Sequence, residues 1–559
     1  MSKLKPKLFS VMKHYTKEQF IKDVISGIIV AVIALPLSVA LAIASGASPE
    51  AGLYTAIIGG FIVSLLGGSR VQIAGPTGAF MVIVFGVIAK YGLDGLFIAT
   101  VMGGLIMIIL GVTRLGSMIK FVPYPIITGF TSGIALVIFS SQINDFFGMN
   151  ISNVPAEFFG KWSSYFQNIG NINLASLGIG LLSLLIIIFW PKVSKKIPGA
   201  LIAIIISALL VSLFHLDVAT VGSKFGELST SFPKPHIPEI TLDRIKELLP
   251  SAFVIAFLGS VESLLSAVVS DGMIGSRHRS DMELIAQGTA NIGSVLFGGI
   301  PVTGAIARTV ANIKNGGRTP IAGIVHSITL LIMLVSLMPL VQLVPLSALA
   351  AILFVVAYNM SGWREFVHLF KSPVSDILVL VTTFVLTFSV DLVVAIEVGL
   401  FLSIFLFMKR MSDVSTVSIK NLDFTETEDN QNFDFEKENK KYPKEDEIIM
   451  YQINGPFFFG AAHKYIEIIN NLAPKTKYII IGMKHVPAMD ATAMHSFISS
   501  LQICQKKNIV VLVTGLRRQP LEAMKKANIL SMIGEERMFE TIEAAHQYAK
   551  LHLSSLATE

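Results

Sequence analysis

The feature that most restricts this chain is a succession of apolar runs, most of spanning length, from Val24 to about Met411. About fourteen are distinguishable, beginning near Val24, Ala51, Thr77, Leu96, Pro125, Leu174, Gly199, Pro250, Glu283, Thr303, Ile321, Leu346, Asp376 and Leu392. Gly, Pro or charged residues separate them. A helix rising about 1.5 Å per residue needs about 20 apolar residues to cross a hydrocarbon core of about 30 Å. Hydrophobic residues make up 53% of the 559 and charged residues 15%, and mean hydropathy is +0.68. Such a surface suits lipid rather than water. The expected fold class is an α-helical polytopic membrane protein of about fourteen transmembrane segments.

The distribution of cations sets the expected orientation. The tail 1–22 carries Lys3, Lys5, Lys7, Lys13, Lys17 and Lys22. Alternate loops are basic too: Arg70, then Arg114 and Lys120, Lys192 with Lys195 and Lys196, Arg277 and Arg279, Lys314 and Arg318, Arg364 and Lys371, Lys409 and Arg410. The positive-inside bias makes these loops and both termini cytoplasmic, in the inner (plasma) membrane of a cell. A net charge of +6 spread this way does not form a nucleic-acid-binding patch. The runs split into repeats of about seven, roughly 23–215 and 250–411, within a transporter domain 23–411. An odd number per half inserts the second half upside down, the inverted-repeat plan of many secondary transporters.

Past Met411 the composition changes. Residues 412–446 read as a polar linker, and 447–559 alternate apolar strands (IIMYQI, YIIIGM, IVVLVTG) with amphipathic helices, a small cytoplasmic α/β domain. The single cysteine, Cys504, excludes an intrachain disulfide and a CxxC site. GxxxxGK[ST] and HExxH are missing from the sequence, so neither ATP drive nor zinc chemistry is encoded, and no enzyme activity is expected.

Two short segments carry the chemistry, one in each half: Gly75-Pro76-Thr77-Gly78-Ala79 and Pro301-Val302-Thr303-Gly304-Ala305. Each follows an extended-looking piece (VQIA, FGGI) and opens a helical run too short to cross. Thr77–Lys90 gives about 21 Å and Thr303–Lys314 about 18 Å. With the loop charges as above, the two half-helices run in opposite directions and their N-termini meet inside the membrane. Helix N-termini present unpaired N–H groups and about half a positive charge each, so a facing pair forms an anion site. Pro suits a first helical turn, and Gly78 and Gly304 admit close approach to the backbone. Thr77 and Thr303 are placed either to cap these helices or to donate a hydroxyl to a ligand. A lone Pro/Gly segment would read as an ordinary kink; the matched pair favours a site.

Charged residues inside the membrane are costly and mark function. Arg308 follows the first turn of the second half-helix, where it either adds positive potential to an anion or pairs with a carboxylate. Glu262 lies deep in the run 252–269, where a carboxylate is protonated, paired or coordinating a cation. It is the candidate coupling group, with Ser266 one turn on. Glu397 reads as interfacial and structural.

Several motifs together resemble the SulP family of sulfate permeases and anion transporters: Leu35-Pro36 through Ala44-Ser45-Gly46-Ala47, Glu50-Ala51-Gly52-Leu53-Tyr54, Gly75-Pro76-Thr77-Gly78, Glu262-Ser263-Leu264-Leu265-Ser266-Ala267 and Asn315-Gly316-Gly317-Arg318-Thr319. The C-terminal segment resembles a STAS domain. The resemblance implies a seven-plus-seven inverted repeat with core and gate domains, elevator-like alternating access and a homodimer. It also implies an anion held by Thr77, Gly78, Thr303, Gly304, Ala305, Ile306 and Arg308, with Glu262 and Ser266 serving a coupling ion. That ion is H+ or Na+, the latter at Glu262, Ser266 and Gly304, and no other cofactor is implied. Many sulfate-type members carry a polar Gln or Glu after the first-helix proline, where this chain has Leu37; bicarbonate members also tend to be apolar there. Bicarbonate members commonly carry Asp where this chain has Glu262. Bicarbonate is slightly favoured, with sulfate close behind, by a Na+- or H+-coupled mechanism. The alternatives are an uncoupled channel or exchanger on the same scaffold, or a membrane sensor signalling through the STAS domain. In STAS regulators a Ser after an Asp is phosphorylated; here Asp490 is followed by Ala491 and Thr492, which points to a dimerising or partner-binding domain rather than a phosphoswitch.

Overall fold

The computed structural model describes all residues except 1–3, 117–122, 152–153, 156, 195–197, 232, 234, 391, 415, 421–446, 471, 473 and 557–559. Lys120, Lys195, Lys196 and most of the expected linker therefore lie outside the described residues. The chain forms two compact units, Met1–Ser403 and Ile404–Glu559.

Among the described residues, nine helices are long and apolar enough to cross a membrane. One of them, Gly78–Val112, is broken at Gly92, where φ is 72° and only glycine sits without strain. It is two segments, α3 (78–91) and α4 (93–112). Before them come α1 (Lys17–Ala44) and α2 (Pro49–Leu66), and after them α5 (Tyr124–Phe147), α6 (Leu174–Val193), α7 (Gly199–Phe214), α8 (Leu242–Ile274), α9 (Ser280–Leu296), α10 (Ile306–Lys314), α11 (Ile321–Val341), α12 (Leu346–Leu369), α13 (Val374–Ser389) and α14 (Leu392–Val414). Fourteen segments stand in the described residues, two of them half-length helices at the expected places.

Their packing separates two groups. The first contains α1 against α11, and α3 and α4 against α8 and α9; the second contains α5 against α12 and α13, and α6 against α7 and α12. These are the core and the gate of a seven-plus-seven inverted repeat. With no water to exclude between helices in lipid, close backbone approach supplies the packing. At the α4–α9 crossing, a Cβ added to Gly104 would sit 2.6 Å from the Gly288 carbonyl oxygen. Only glycine permits that contact.

α1 starts at Lys17, earlier than the apolar run, because Thr16 accepts a hydrogen bond from the Gln19 N–H at 3.2 Å and caps it. The added turn carries buried Asp23, whose carboxylate accepts from the backbone N–H groups of Arg318 and Thr319 and from the Thr319 hydroxyl. Asp23 thereby anchors the Asn315-Gly316-Gly317-Arg318 turn that ends α10.

The second unit is a five-stranded sheet ordered β3 (Thr416–Lys420), β4 (Ile448–Asn454), β5 (Tyr478–His485), β6 (Val510–Thr514) and β7 (Met538–Phe539). β3 is antiparallel to β4 and the other pairs are parallel. Its core stacks Tyr465 on Phe497 with centroids 5.8 Å apart, and the Tyr465 and Ser500 hydroxyls lie 2.8 Å apart. Asp490 caps the helix Ala491–Lys506 by accepting from the Ala493 N–H at 2.7 Å. Ala491 is exposed on its first turn.

Candidate anion site

The two half-helices are joined through a short ladder. β1 (Ala74–Gly75) and β2 (Thr303–Gly304) pair antiparallel, Ala74 opposite Gly304 and Gly75 opposite Thr303. Antiparallel strands deliver α3 and α10 from opposite directions, so both N-termini open at one locus. The first extended piece thus begins at the last residue of VQIA, as Ala74–Gly75, and the second falls at Thr303–Gly304 rather than at FGGI. The cause is tertiary. Asn291 on α9 accepts from the Val302 N–H at 3.0 Å and donates to its carbonyl at 2.8 Å, acting as a one-residue strand partner. Thr55 on α2 accepts from the Ile300 N–H at 2.7 Å. With these residues held extended, α10 begins at Ile306, not at Thr303, and spans nine residues, about 13 Å.

The threonines therefore differ from simple caps. Thr77 occupies the N-cap position of α3 but makes no capping bond; its hydroxyl donates to Glu262 Oε2 at 2.9 Å. Thr303 lies in β2, three residues before α10, and its hydroxyl donates to the Gly259 carbonyl at 3.1 Å. The N-cap of α10 is Ala305, which has no side-chain acceptor, leaving the first N–H groups of α10 without a capping side chain. Gly78 and Gly304 are buried beside these ends, whereas Ile306 is 42% exposed.

α8 supplies the third wall. Ser263 Oγ lies 2.8 Å from Thr303 Oγ1 and accepts from the Gly304 N–H at 3.2 Å. One turn from Glu262, Ser266 donates to Thr309 Oγ1 at 3.3 Å, and the same oxygen accepts from the Ile73 N–H at 3.1 Å. These hydroxyls lock α8 to both crossing segments and turn Glu262 toward α3.

Arg308 is buried, and its Nη2 donates to the Pro76 carbonyl at 2.5 Å. Its partner is thus a backbone carbonyl at the end of the opposite half-helix and not a carboxylate. Nη1 has no hydrogen-bond partner. A Cβ at Gly75 would overlap this guanidinium, so glycine there makes room for the arginine. Two further polar side chains are buried without partners. Gln72, against Gly304, has both amide atoms unpaired, and His326 on α11 has both ring nitrogens unpaired; each is buried. Ser263, Thr309, Gln72 and His326 were not expected at this locus. Polar residues in apolar runs were the available signal, but their direction needs the packed helices.

The geometry sets the α3 and α10 termini beside one another, with Arg308 reaching from α10 to Pro76 and Glu262 and Ser266 on α8 bonded to Thr77 and Thr309.

Comparison with known proteins identifies the family and the fold. Residues 20–383 match the sulfate permease family and residues 439–545 the STAS domain. YvdB of Bacillus subtilis (strain 168), named for sulfate transport, is 40% identical over 530 residues, covering 94% of this chain and 97% of that one. The bicarbonate transporter BicA of Picosynechococcus sp. is 29% identical over 539 residues, covering 95% and 94%. The structure of the murine Solute Carrier 26 family member A9 anion transporter superposes with a TM-score of 0.86 at 18% identity, covering 98% of this chain and 94% of that one, a likeness of fold. The chain belongs to the sulfate permease family of anion transporters: a multi-pass membrane protein, not an enzyme, that ends in a STAS domain.

Proposed function

We propose that the protein is a secondary active transporter of a small inorganic anion, bicarbonate first and sulfate second. Anion movement is coupled to Na+ or H+ at Glu262, and the core moves against the gate in an elevator-like step. The observation that carries this reading is the β1–β2 crossing, which sets the N-termini of α3 and α10 and the Arg308 guanidinium around one point. The anion contacts Thr77, Gly78, Thr303, Gly304, Ala305, Ile306 and Arg308.

Charge balance favours bicarbonate. Two helix termini contribute about +0.5 each and Arg308 a full charge, against one negative charge on ionised Glu262. The remainder is about +1, matched to a monoanion. A dianion such as sulfate is matched when a proton or Na+ neutralises Glu262, which makes its transport dependent on the cation. The Glu262 carboxylate, the Ser266 hydroxyl and the Gly304 carbonyl are all oxygen donors, as a hard cation requires. Basic loops place both termini in the cytoplasm. The homologues' names, for sulfate and for bicarbonate, support the same two substrates. The STAS domain serves dimerisation or a cytoplasmic partner, because Ala491 carries no hydroxyl.

The test is flux of labelled bicarbonate and labelled sulfate into proteoliposomes under imposed Na+ or proton gradients. Gradient-driven uptake of either anion supports the reading. Uptake that ignores both gradients reassigns the chain as an uncoupled channel or exchanger, and no uptake refutes transport of these anions.

A further inference from the structure

On the face of the membrane unit opposite the basic loops, the helix Phe158–Gln167 follows α5 and presents Lys161 and Tyr165 one turn apart on one side. Lys161 is only 5% exposed, and its ammonium lies 5.0 Å from the centre of the Phe85 ring on α3. Among the described residues it has no hydrogen-bond or ion-pair partner for its side chain. The Tyr165 hydroxyl is likewise buried without a partner. A ring face returns to a largely buried ammonium much less than its desolvation costs. Two donors without a protein partner among the described residues line one cavity, where an acceptor can reach both.

Both side chains line a cavity of about 540 Å³, and Lys161 also lines a second cavity of about 900 Å³. In the first cavity the carboxylate is Asp145, 3.4 Å from Lys224 Nζ, so Lys161 supplies the uncompensated charge. In the second, Lys90 and Lys161 are matched by Glu157 and Glu247. The second cavity follows α3 inward to Met81, four residues and about 6 Å from Thr77. Continuity therefore runs from the partnerless lysine to within about one turn of the central site.

We propose that Lys161 and Tyr165 form an outer binding site for the transported oxyanion, which loads there before passing along α3 to the β1–β2 crossing. The inference rests on the transport reading above and adds a residue pair far from Thr77 and Arg308. The ammonium supplies charge and the phenol a directional hydrogen bond, a donor set suited to a small oxyanion. Phe85 holds the ammonium over its ring on α3, and core movement relative to the gate separates that contact once the anion has left.

Two measurements on the full-length protein test it. In oriented proteoliposomes, Lys161→Met keeps the stem and loses the charge, while Lys161→Arg keeps both. The Met variant raises KM for sulfate and bicarbonate on the face carrying Lys161 by roughly five- to tenfold at low salt, with turnover and the opposite-face KM unchanged. The Arg variant stays near wild type. Second, Trp162 adjoins the site; with Trp190→Phe and Trp363→Phe in place it is the sole tryptophan. Iodide, an anionic quencher, quenches it less in Lys161→Met, while neutral acrylamide quenches both proteins equally, and sulfate at matched ionic strength relieves the iodide effect. Equal iodide quenching in the two proteins overturns the proposal, as does a Met variant that lowers turnover with KM intact, which marks a structural lysine. If the wild type moves neither anion, the transport reading fails, and the quenching measurement still decides whether anions bind at Lys161.

Discussion

Gly75 exists to make room for Arg308, and that relation can be measured. An alanine Cβ at position 75 would overlap Arg308 Nη1 and lie 3.1 Å from its Cζ. Neither β1 nor β2 can retreat, because the Ala305 N–H donates to the Ile73 carbonyl at 2.9 Å and Asn291 holds Val302. The guanidinium must therefore swing away, losing the Pro76 carbonyl and its place beside the anion. A hydrogen bond to a charged group is worth about 1.5–3 kcal/mol, so Gly75→Ala raises the anion KM by about ten- to a hundredfold. Arg308→Ala alone has an effect of similar size. The decisive quantity is the double variant: with the arginine gone, the added methyl meets open space, and Gly75→Ala changes KM by less than about twofold. Proteoliposome uptake of labelled sulfate and bicarbonate supplies the four corners of the cycle, with thermal unfolding of the same preparations as the check on folding. Non-additivity of at least about 1 kcal/mol is expected for groups in contact. Additive effects on KM would falsify the claim that the glycine acts through the arginine.

Other consequences are separable from this one. Glu262→Gln keeps an acceptor for the Thr77 hydroxyl but has no charge to bind or release a cation; uptake loses its dependence on Na+ and proton gradients, and unchanged gradient-driven uptake refutes the coupling role. Asn291→Ala leaves both backbone groups of Val302 unpaired and buried, at about 1–3 kcal/mol each; the apparent Tm of the detergent-solubilised protein falls, whereas Thr289→Ala, whose hydroxyl bonds to its own helix at Ile285, leaves Tm nearly unchanged. Burial pushes the Cys504 thiol from 9.0 up to about 11. The folded STAS unit therefore favours the neutral thiol: that contribution is complete below about pH 9 and is lost as pH rises toward 11. Iodoacetamide at pH 8 should modify Cys504 only after urea unfolding, read by mass spectrometry, and rapid labelling of the native protein would contradict the packing described for that core.

The membrane class, the run count and the separate α/β domain were legible because each depends on composition over tens of residues. Hydropathy reports the solvent a segment needs, and the Lys and Arg pattern reports the side a loop prefers, without knowledge of neighbours. The matched Pro/Gly/Thr segments showed where helices must start late, since backbone propensity is local.

What the hydroxyls and the arginine do was decided by tertiary contacts. Thr77 and Glu262 are 185 positions apart, and Arg308 and Pro76 are 232 apart; no local pattern encodes either bond. The start of α10 was misplaced for the same reason. Thr303 and Gly304 can begin a helix on propensity alone, but pairing with β1 and the amide of Asn291 hold them extended. The sequence by itself determined that two helices would begin inside the apolar region, one in each half. Only the packed structure decided that they meet across a two-residue ladder, with Arg308 reaching from one half-helix to the other, because strand pairing and buried hydrogen bonds exist only between segments the fold has already brought together.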